Sequence, residues 1–275
     1  MKIYYINLDQ STERRDWMES QLSVLAGDDI QYQRIAAIDG SKLSAEEITT
    51  HTHSLSPNQL GCSLSHRRAW ELIGTGADEY GVVMEDDILI SSLAREFLNN
   101  DQWIPPCTGI LRLETTNSKI RLLSCKGGGI MNNLKYELCE FLFNYGTGAY
   151  VIHRDVAKYL QNKYNKIPKP VDLELNDPEL FKGEKPLHGQ HIIRLQIDPG
   201  LAIQQHCYKR RFLPANAEVS IMADYSQKTV FNQNKLGREL HRLTDLQQWG
   251  KAFSKLFSLP FVHKYPKRKV IPFAE

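Results

Sequence analysis

The chain has 275 residues, 41% of them hydrophobic, and a formal net charge of +2 at pH 7. That is enough apolar material for one sizeable core, and the near balance of charge excludes a protein that binds nucleic acid through bulk basicity. Five cysteines (Cys62, Cys107, Cys125, Cys139 and Cys207) are odd in number, widely spaced and without a CxxC pair, which argues against a disulfide framework or zinc knuckle and for a reducing compartment.

Lys2 to Leu8 is rich in β-branched and aromatic residues and predicts a buried strand. Its apolar run is too short for a signal-peptide core, and nothing else approaches a membrane span, so a cytoplasmic protein is expected. Ser11 is placed to cap a helix carrying Trp17, Leu22, Leu25 and Ala26. Gln31 to Ile38 predicts a second strand, ended by the turn dipeptide Asp39-Gly40. Strand, helix, strand opens an α/β sheet.

Residues 41–58 are polar and loop-like, and a helix is expected from about Gln59 to Ile73. Tyr80 to Met84 is an apolar run that stops at Glu85-Asp86-Asp87. Further strands are predicted at Gly109 to Leu113, Tyr150 to Ile152 and, more weakly, Leu195 to Ile203, with helices at Ser92 to Leu98 and Asp155 to Tyr164. Late in the chain Leu236, Leu240, Leu243, Leu246, Trp249, Phe253, Leu256 and Phe257 recur every three or four positions, the pattern of an amphipathic helix ended by Pro260. A basic cluster, His263 to Lys269, follows. We therefore expect a catalytic domain over residues 1–213 and a helical extension with a basic tail over 214–275. The leucines suit packing on the catalytic domain, and the cationic tail suits an anionic membrane surface.

Three consecutive acids after a buried strand repel one another unless a cation sits among them. Strand ends in open α/β sheets surround a ligand crevice, and hard oxygen ligands there suit Mg²⁺ or Mn²⁺ with substrate phosphates. A solvated acidic turn is the plainer alternative.

Seven motifs in order resemble glycosyltransferase family 25. They are Tyr5-Ile6-Asn7-Leu8-Asp9 with Arg14-Arg15; Arg34 through Gly40; Gly61-Cys62-Ser63-Leu64-Ser65-His66 with Trp70; Val83 through Asp87; Gly148 through Ile152; Pro170-Val171-Asp172; and Pro199 through His206. The similarity covers residues 2 to about 210. It implies a GT-A-type fold, a Rossmann-like mixed sheet flanked by helices. It also implies inverting transfer of galactose or glucose from a UDP-sugar to a hydroxyl of a lipooligosaccharide or other glycan acceptor.

On that resemblance Asp87 is the first metal ligand, Glu85 or Asp86 meets the ion through water or touches the ribose, and His206 completes the site, favouring Mn²⁺ over Mg²⁺. Asp172 is the expected general base, with Glu174 as the alternative. Asn7, Leu8, Ala37 and Asp39 close neighbouring strands and are expected to line the nucleotide pocket. Arg14 or Arg15 is expected to meet phosphate. Ser65 and His66 are assigned to the donor side, although Cys62, His66, Ala69 and Ile73 share one helix face, as a satisfied core histidine would. Two other classes compete: a catalytically degenerate binder of glycan or nucleotide, and a metal-dependent phosphohydrolase, which would need a second dense carboxylate or histidine cluster.

Overall fold

The computed structural model describes residues 1–187, 191–208, 213 and 268–275. Chain order begins with β1 (Lys2–Asn7), α1 (Thr12–Ala26), β2 (Tyr32–Ala36), a 3₁₀ turn (Gly40–Lys42), α2 (Ala45–His51), α3 (Pro57–Thr75) and β3 (Tyr80–Glu85). It continues with β4 (Ile88–Ile90), α4 (Ala94–Leu98), β5 (Thr108–Arg112), β6 (Glu114–Thr115), the hairpin β7 (Lys119–Met131) and β8 (Leu134–Phe141), and β9 (Ala149–His153). Then come α5 (Arg154–Asn162), α6 (Val171–Leu175), β10 (Ile193–Asp198), β11 (Ala202–Gln204) and β12 (Arg268–Val270).

Among the described residues the large sheet runs β12-β7-β8-β10-β5-β9-β3-β1-β2, and β4-β11-β6 forms a small second sheet. β1 lies parallel to β2 and β3, and β10 parallel to β5, whereas β9 runs antiparallel between β3 and β5. The fold is thus a mixed α/β sheet with helices on both faces, as the sequence predicted.

The two-faced burial explains the sequence of the central strands. Side chains alternate across a strand, so a strand covered on both sides must be apolar throughout. Ile3, Tyr5, Val82 and Met84 join one core with Met18 and Leu22 of α1 and Phe97 of α4. Tyr4, Ile6 and Val83 join the other with Trp70 and Ile73 of α3 and Val156 and Leu160 of α5. Each such side chain contributes about 1.5–3 kcal/mol by leaving water.

Several expectations are corrected. Residues 41–58 are not all loop: α2 forms behind a capping box in which Ser44 and Glu47 satisfy each other's backbone N–H. A second capping box, Ser56 with Gln59, and Pro57 in the first turn start α3 before Gln59. Ser11 occupies the cap position of α1 without a side-chain cap bond; its carbonyl instead accepts from Asn7 Nδ2 at 3.0 Å. The single weak strand expected over 195–203 is two strands in different sheets, β10 and β11. The β7–β8 hairpin was not foreseen.

The helix expected over 236–257 and most of the basic cluster (263–267) lie outside the described residues. The end of that cluster is not a free tail. Arg268–Val270 pairs antiparallel with β7, and Lys269 forms an ion pair with Asp198. Residues Arg268–Glu275 belong to the same unit as Met1–Glu218. No described helix is long and apolar enough to cross a membrane.

Candidate active site

The parallel register sets Ile6 of β1 opposite Glu85 of β3, so both strands end together and the acids follow at the sheet's edge. Asp86 turns inward. Its Oδ2 accepts from Asn7 Nδ2 at 2.7 Å and its Oδ1 from Arg14 Nη1 at 3.1 Å. Burial pushes the Asp86 carboxyl up, while Arg14 and Asn7 pull against it. Asn7 in turn accepts from Arg34 Nε through Oδ1, and its carbonyl accepts from Ala37 N at 3.0 Å. The middle acid therefore ties together the ends of β1, β2 and β3.

Glu85 and Asp87 face the other way and share one donor. Gln204 Nε2, at the end of β11, donates to Glu85 Oε2 at 3.2 Å and to Asp87 Oδ1 at 3.1 Å. Glu85 Oε1 accepts from Thr147 Oγ1 at 2.7 Å and lies 3.3 Å from His66 Nε2. Burial raises the Glu85 carboxyl, but His66 and Thr147 more than offset it and leave it below its ordinary value. At Asp87 the balance goes the other way: burial, then the charges of Glu85 and Asp86, outweigh the pull of Arg14 and the Gln204 hydrogen bond and push its carboxyl up to about 7.

A polar framework holds this arrangement. The buried pair Arg112–Glu114 meets at 2.8 Å, Arg112 also donates to Tyr145 O, and Glu114 Oε1 accepts from Gly148 N. It thereby fixes the loop carrying Thr147. Burial pushes the Glu114 carboxyl up to about 8, with Arg112 pulling it down. A Cβ on Gly148 would meet Glu114 Oε2 at 2.6 Å and Gln204 Cγ at 2.8 Å; only glycine lets both side chains approach there.

Asp172 sits in the first turn of α6, half-buried. Burial raises its carboxyl, with Glu85 adding to the rise; the two acids thus feel each other. Glu174 is corrected as a candidate base. Fully buried, it accepts from Arg67 Nη2 through both oxygens, at 3.2 and 3.0 Å, so it holds α6 on α3.

Other expected site residues are bound within the fold. Ser65 Oγ accepts from Ile38 N at 2.8 Å and donates to Gly61 O at 2.6 Å, fastening the end of β2 to α3. His66 is buried, with Nδ1 2.9 Å from Tyr150 Oη, while Nε2 reaches toward Glu85; it is a core histidine and a neighbour of the triplet at once. Asp39 caps the 3₁₀ turn through Ser41 and accepts from Gln10; the Ser41 and Gln10 hydrogen bonds hold it at about 2. Leu8 is half-buried at the same strand edge, and Ala37 packs against the α3 side of the core. Arg14 binds Asp86, whereas Arg15 forms no hydrogen bond or ion pair with the triplet and acts on Tyr5 and Asp9 through its charge.

His206 is exposed on the turn Gln205–Cys207 and reaches Glu85 only through its charge. Among the described residues, three ligand atoms come within 4.8 Å of one another in only two groups, Cys62–His66–Glu85 and Cys125–Glu137–Cys139; Asp87, Glu85 and His206 do not form one. Glu85 and Asp87 nonetheless suit a hard divalent ion. Two carboxylate oxygens already converge on a single polar nitrogen, and Asp87 carries repulsion from its acidic neighbours that a cation would relieve further.

A model of glycosyltransferase family 25 (LPS biosynthesis protein) matches residues 1–175. Lipooligosaccharide biosynthesis protein lex-1 of Haemophilus influenzae is 24% identical over 202 residues, covering 70% of this chain and 63% of that protein, under two thirds of its length. Lacto-N-neotetraose biosynthesis glycosyltransferase LgtE of Neisseria meningitidis serogroup B is 25% identical over 265 residues, covering 90% of this chain and 88% of that protein. The structure of a glycosyltransferase involved in glycosylation of the major capsid of PBCV-1 is similar over 74% of this chain and 91% of that one, at 12% identity and a TM-score of 0.38.

Proposed function

The chain belongs to glycosyltransferase family 25, and from that premise we propose that it is an inverting hexosyltransferase. It moves galactose or glucose from a UDP-sugar to a hydroxyl of a lipooligosaccharide-type acceptor, on a GT-A-type fold. The relatives named for lipooligosaccharide and lacto-N-neotetraose biosynthesis support the acceptor class. The observation that carries the reading is the convergence of Glu85 and Asp87 on one amide nitrogen at the end of paired parallel strands.

Breaking a sugar–phosphate bond throws negative charge onto the diphosphate, and the acceptor hydroxyl must lose a proton as its oxygen attacks. Glu85 and Asp87 would hold Mn²⁺ or Mg²⁺, which supplies positive charge for the leaving diphosphate. Rotation of the Gln204 amide would turn its oxygen, in place of its nitrogen, toward the same position. Asp172 accepts the acceptor proton; its partly buried carboxylate is more basic than a solvated one, which suits that task. Asp86, Asn7 and Arg14 keep the strand ends in register and leave Glu85 and Asp87 free to face substrate. The acceptor is reached from the cytoplasmic side, and the basic stretch before β12 suits contact with an anionic membrane.

The test is turnover. Release of UDP from a UDP-sugar should require Mn²⁺ or Mg²⁺, and Asp87→Asn should lower kcat at least about 100-fold with the melting temperature of the metal-free protein retained. A folded Asp87→Asn protein of undiminished activity would overturn the assignment. A thermal-shift screen of nucleotide sugars, with and without Mn²⁺, names the donor, because ligands that bind only the folded state raise the melting temperature.

A further inference from the structure

We propose that Cys62, His66 and Glu85 form a second cation site, selective for borderline-soft divalent ions such as Zn²⁺ and distinct from the oxygen-only pair Glu85–Asp87. Cys62 and His66 stand four residues apart on α3 and so project from one face, one above the other. β3 brings Glu85 against that face, and the three ligand atoms lie within 4.8 Å of one another. Tetrahedral zinc holds such donors at about 2.0–2.3 Å, hence roughly 3.5 Å apart. Small rotations of the cysteine and glutamate side chains close that difference.

A second observation points into the same space. His66 is 1% exposed, and its Nε2 makes no well-aligned hydrogen bond, although Glu85 Oε1 lies 3.3 Å away. A buried polar nitrogen held by so poorly aligned a contact is costly, and a metal ion shared with Glu85 would satisfy it. The opposite ring nitrogen is already fixed at 2.9 Å from Tyr150 Oη, whose oxygen also accepts from Trp70 Nε1 at 2.8 Å. Metal-ligating histidines carry this kind of outer partner. Ligation through Nε2 places the ring proton on Nδ1, donated to the second lone pair of Tyr150 Oη.

Sulfur, imidazole nitrogen and one carboxylate oxygen form a zinc-like donor set that Mg²⁺ and Mn²⁺ disfavour. On binding, the Cys62 thiol releases its proton to water, and thiolate plus carboxylate balance the ion's two charges. The Glu85 side chain is 24% exposed and offers the entry path. An ion held here takes Glu85 away from Asp87, so Zn²⁺ inhibits transfer. That consequence rests on the transferase reading; the binding itself does not.

The test uses the reduced full-length protein carrying Cys125→Ser, which removes the other thiol cluster, and titrates it with Co²⁺ alone. A thiolate-to-cobalt charge-transfer band should appear, be bleached by one equivalent of Zn²⁺, survive Asp87→Asn, and vanish in Cys62→Ser at unchanged melting temperature. Cys62→Ser should also keep Mn²⁺-dependent turnover while its inhibition by Zn²⁺ weakens at least tenfold. Absence of the band at saturating Co²⁺, or its persistence in Cys62→Ser, overturns the site. Because the band is read without any sugar, this failure is separate from failure of the transferase reading, which loss of turnover alone would show.

Discussion

Asp172 and Glu174 stand two residues apart on one short helix, yet the structure predicts opposite consequences for them. Glu174 is fully buried and bound through both oxygens by Arg67, which also donates to Leu160 O at 2.7 Å and lies 5.3 Å from the Trp70 ring. Glu174→Gln keeps the shape but leaves the guanidinium charge without its counter-ion. Breaking a buried pair by removing one partner costs about 3–5 kcal/mol, and the retained amide oxygen keeps the cost near the lower end. A chain of this size loses roughly 2–4 °C per kcal/mol, so the melting temperature should fall by about 6–12 °C. Below that transition kcat should stay within about twofold of wild type, since both Glu174 oxygens are taken up by Arg67. Asp172→Asn should show the reverse: a melting temperature within about 2 °C of wild type and kcat lower by about 10²–10⁴. Calorimetry and UDP-release assays on the two variants separate these outcomes. If Glu174→Gln melts like the wild type while losing its kcat, the assignment of roles is wrong.

Three further outcomes follow from geometry already given. A Cβ on Gly61 would lie 2.5 Å from Ile38 O and 2.7 Å from Gly40 N, both backbone atoms, so Gly61→Ala should destabilise by about 1–3 kcal/mol in urea denaturation; an unchanged midpoint would refute the close approach of α3 to the end of β2. Tyr150→Phe removes the acceptor of the buried Trp70 Nε1–H and the partner of His66 Nδ1, and should cost about 1–3 kcal/mol by the same measurement. The Asp39 carboxyl is held at about 2 against an ordinary 3.8 by Ser41 and Gln10. A depressed carboxyl contributes stability that is fully present above its unfolded value and is lost as pH falls toward the folded one. The stability difference between wild type and Asp39→Asn should therefore be largest above about pH 4 and shrink toward pH 2; a difference that does not change with pH would contradict the capping role.

The central strands were legible because burial on both faces forces apolar residues at every position, and the acids stood out by breaking such a run at Glu85. The site's supporting groups were not legible. Thr147 and Gln204 reach Glu85 from positions 62 and 119 residues away in the chain, and nothing local marks a threonine or glutamine as a carboxylate partner. Arg112 and Glu114 flank an apolar strand end as any exposed pair might, and only the sheet's register buries them together. α2 escaped notice because it buries no residue and so carries no apolar stripe; its Ser44-x-x-Glu47 cap was the readable signal. The β7 strand is largely exposed and includes Gly127, Gly128 and Gly129, so alternation failed there. The Asn132-Asn133 turn, at φ 47° and 64°, was the one local sign of a hairpin. His66 shows the limit of choosing between alternatives: helical spacing gave it to the core and motif order gave it to the site, and the structure buries it in the core 3.3 Å from Glu85.

β12 changes how the far end of the chain is to be regarded. Residues 268–275 complete the sheet edge beside β7, Thr115 Oγ1 donates to Ile271 O, and Gly200 donates its N–H to Pro272 O while its carbonyl accepts from Ala274 N. A polypeptide stopped at residue 213 would thus not be a trimmed enzyme; it would lack one of its own staves, leaving β7 as an open seam and Asp198 without its lysine. Deletions that probe the intervening stretch must be cut from the middle and rejoined, so that the last eight residues still arrive to close the edge.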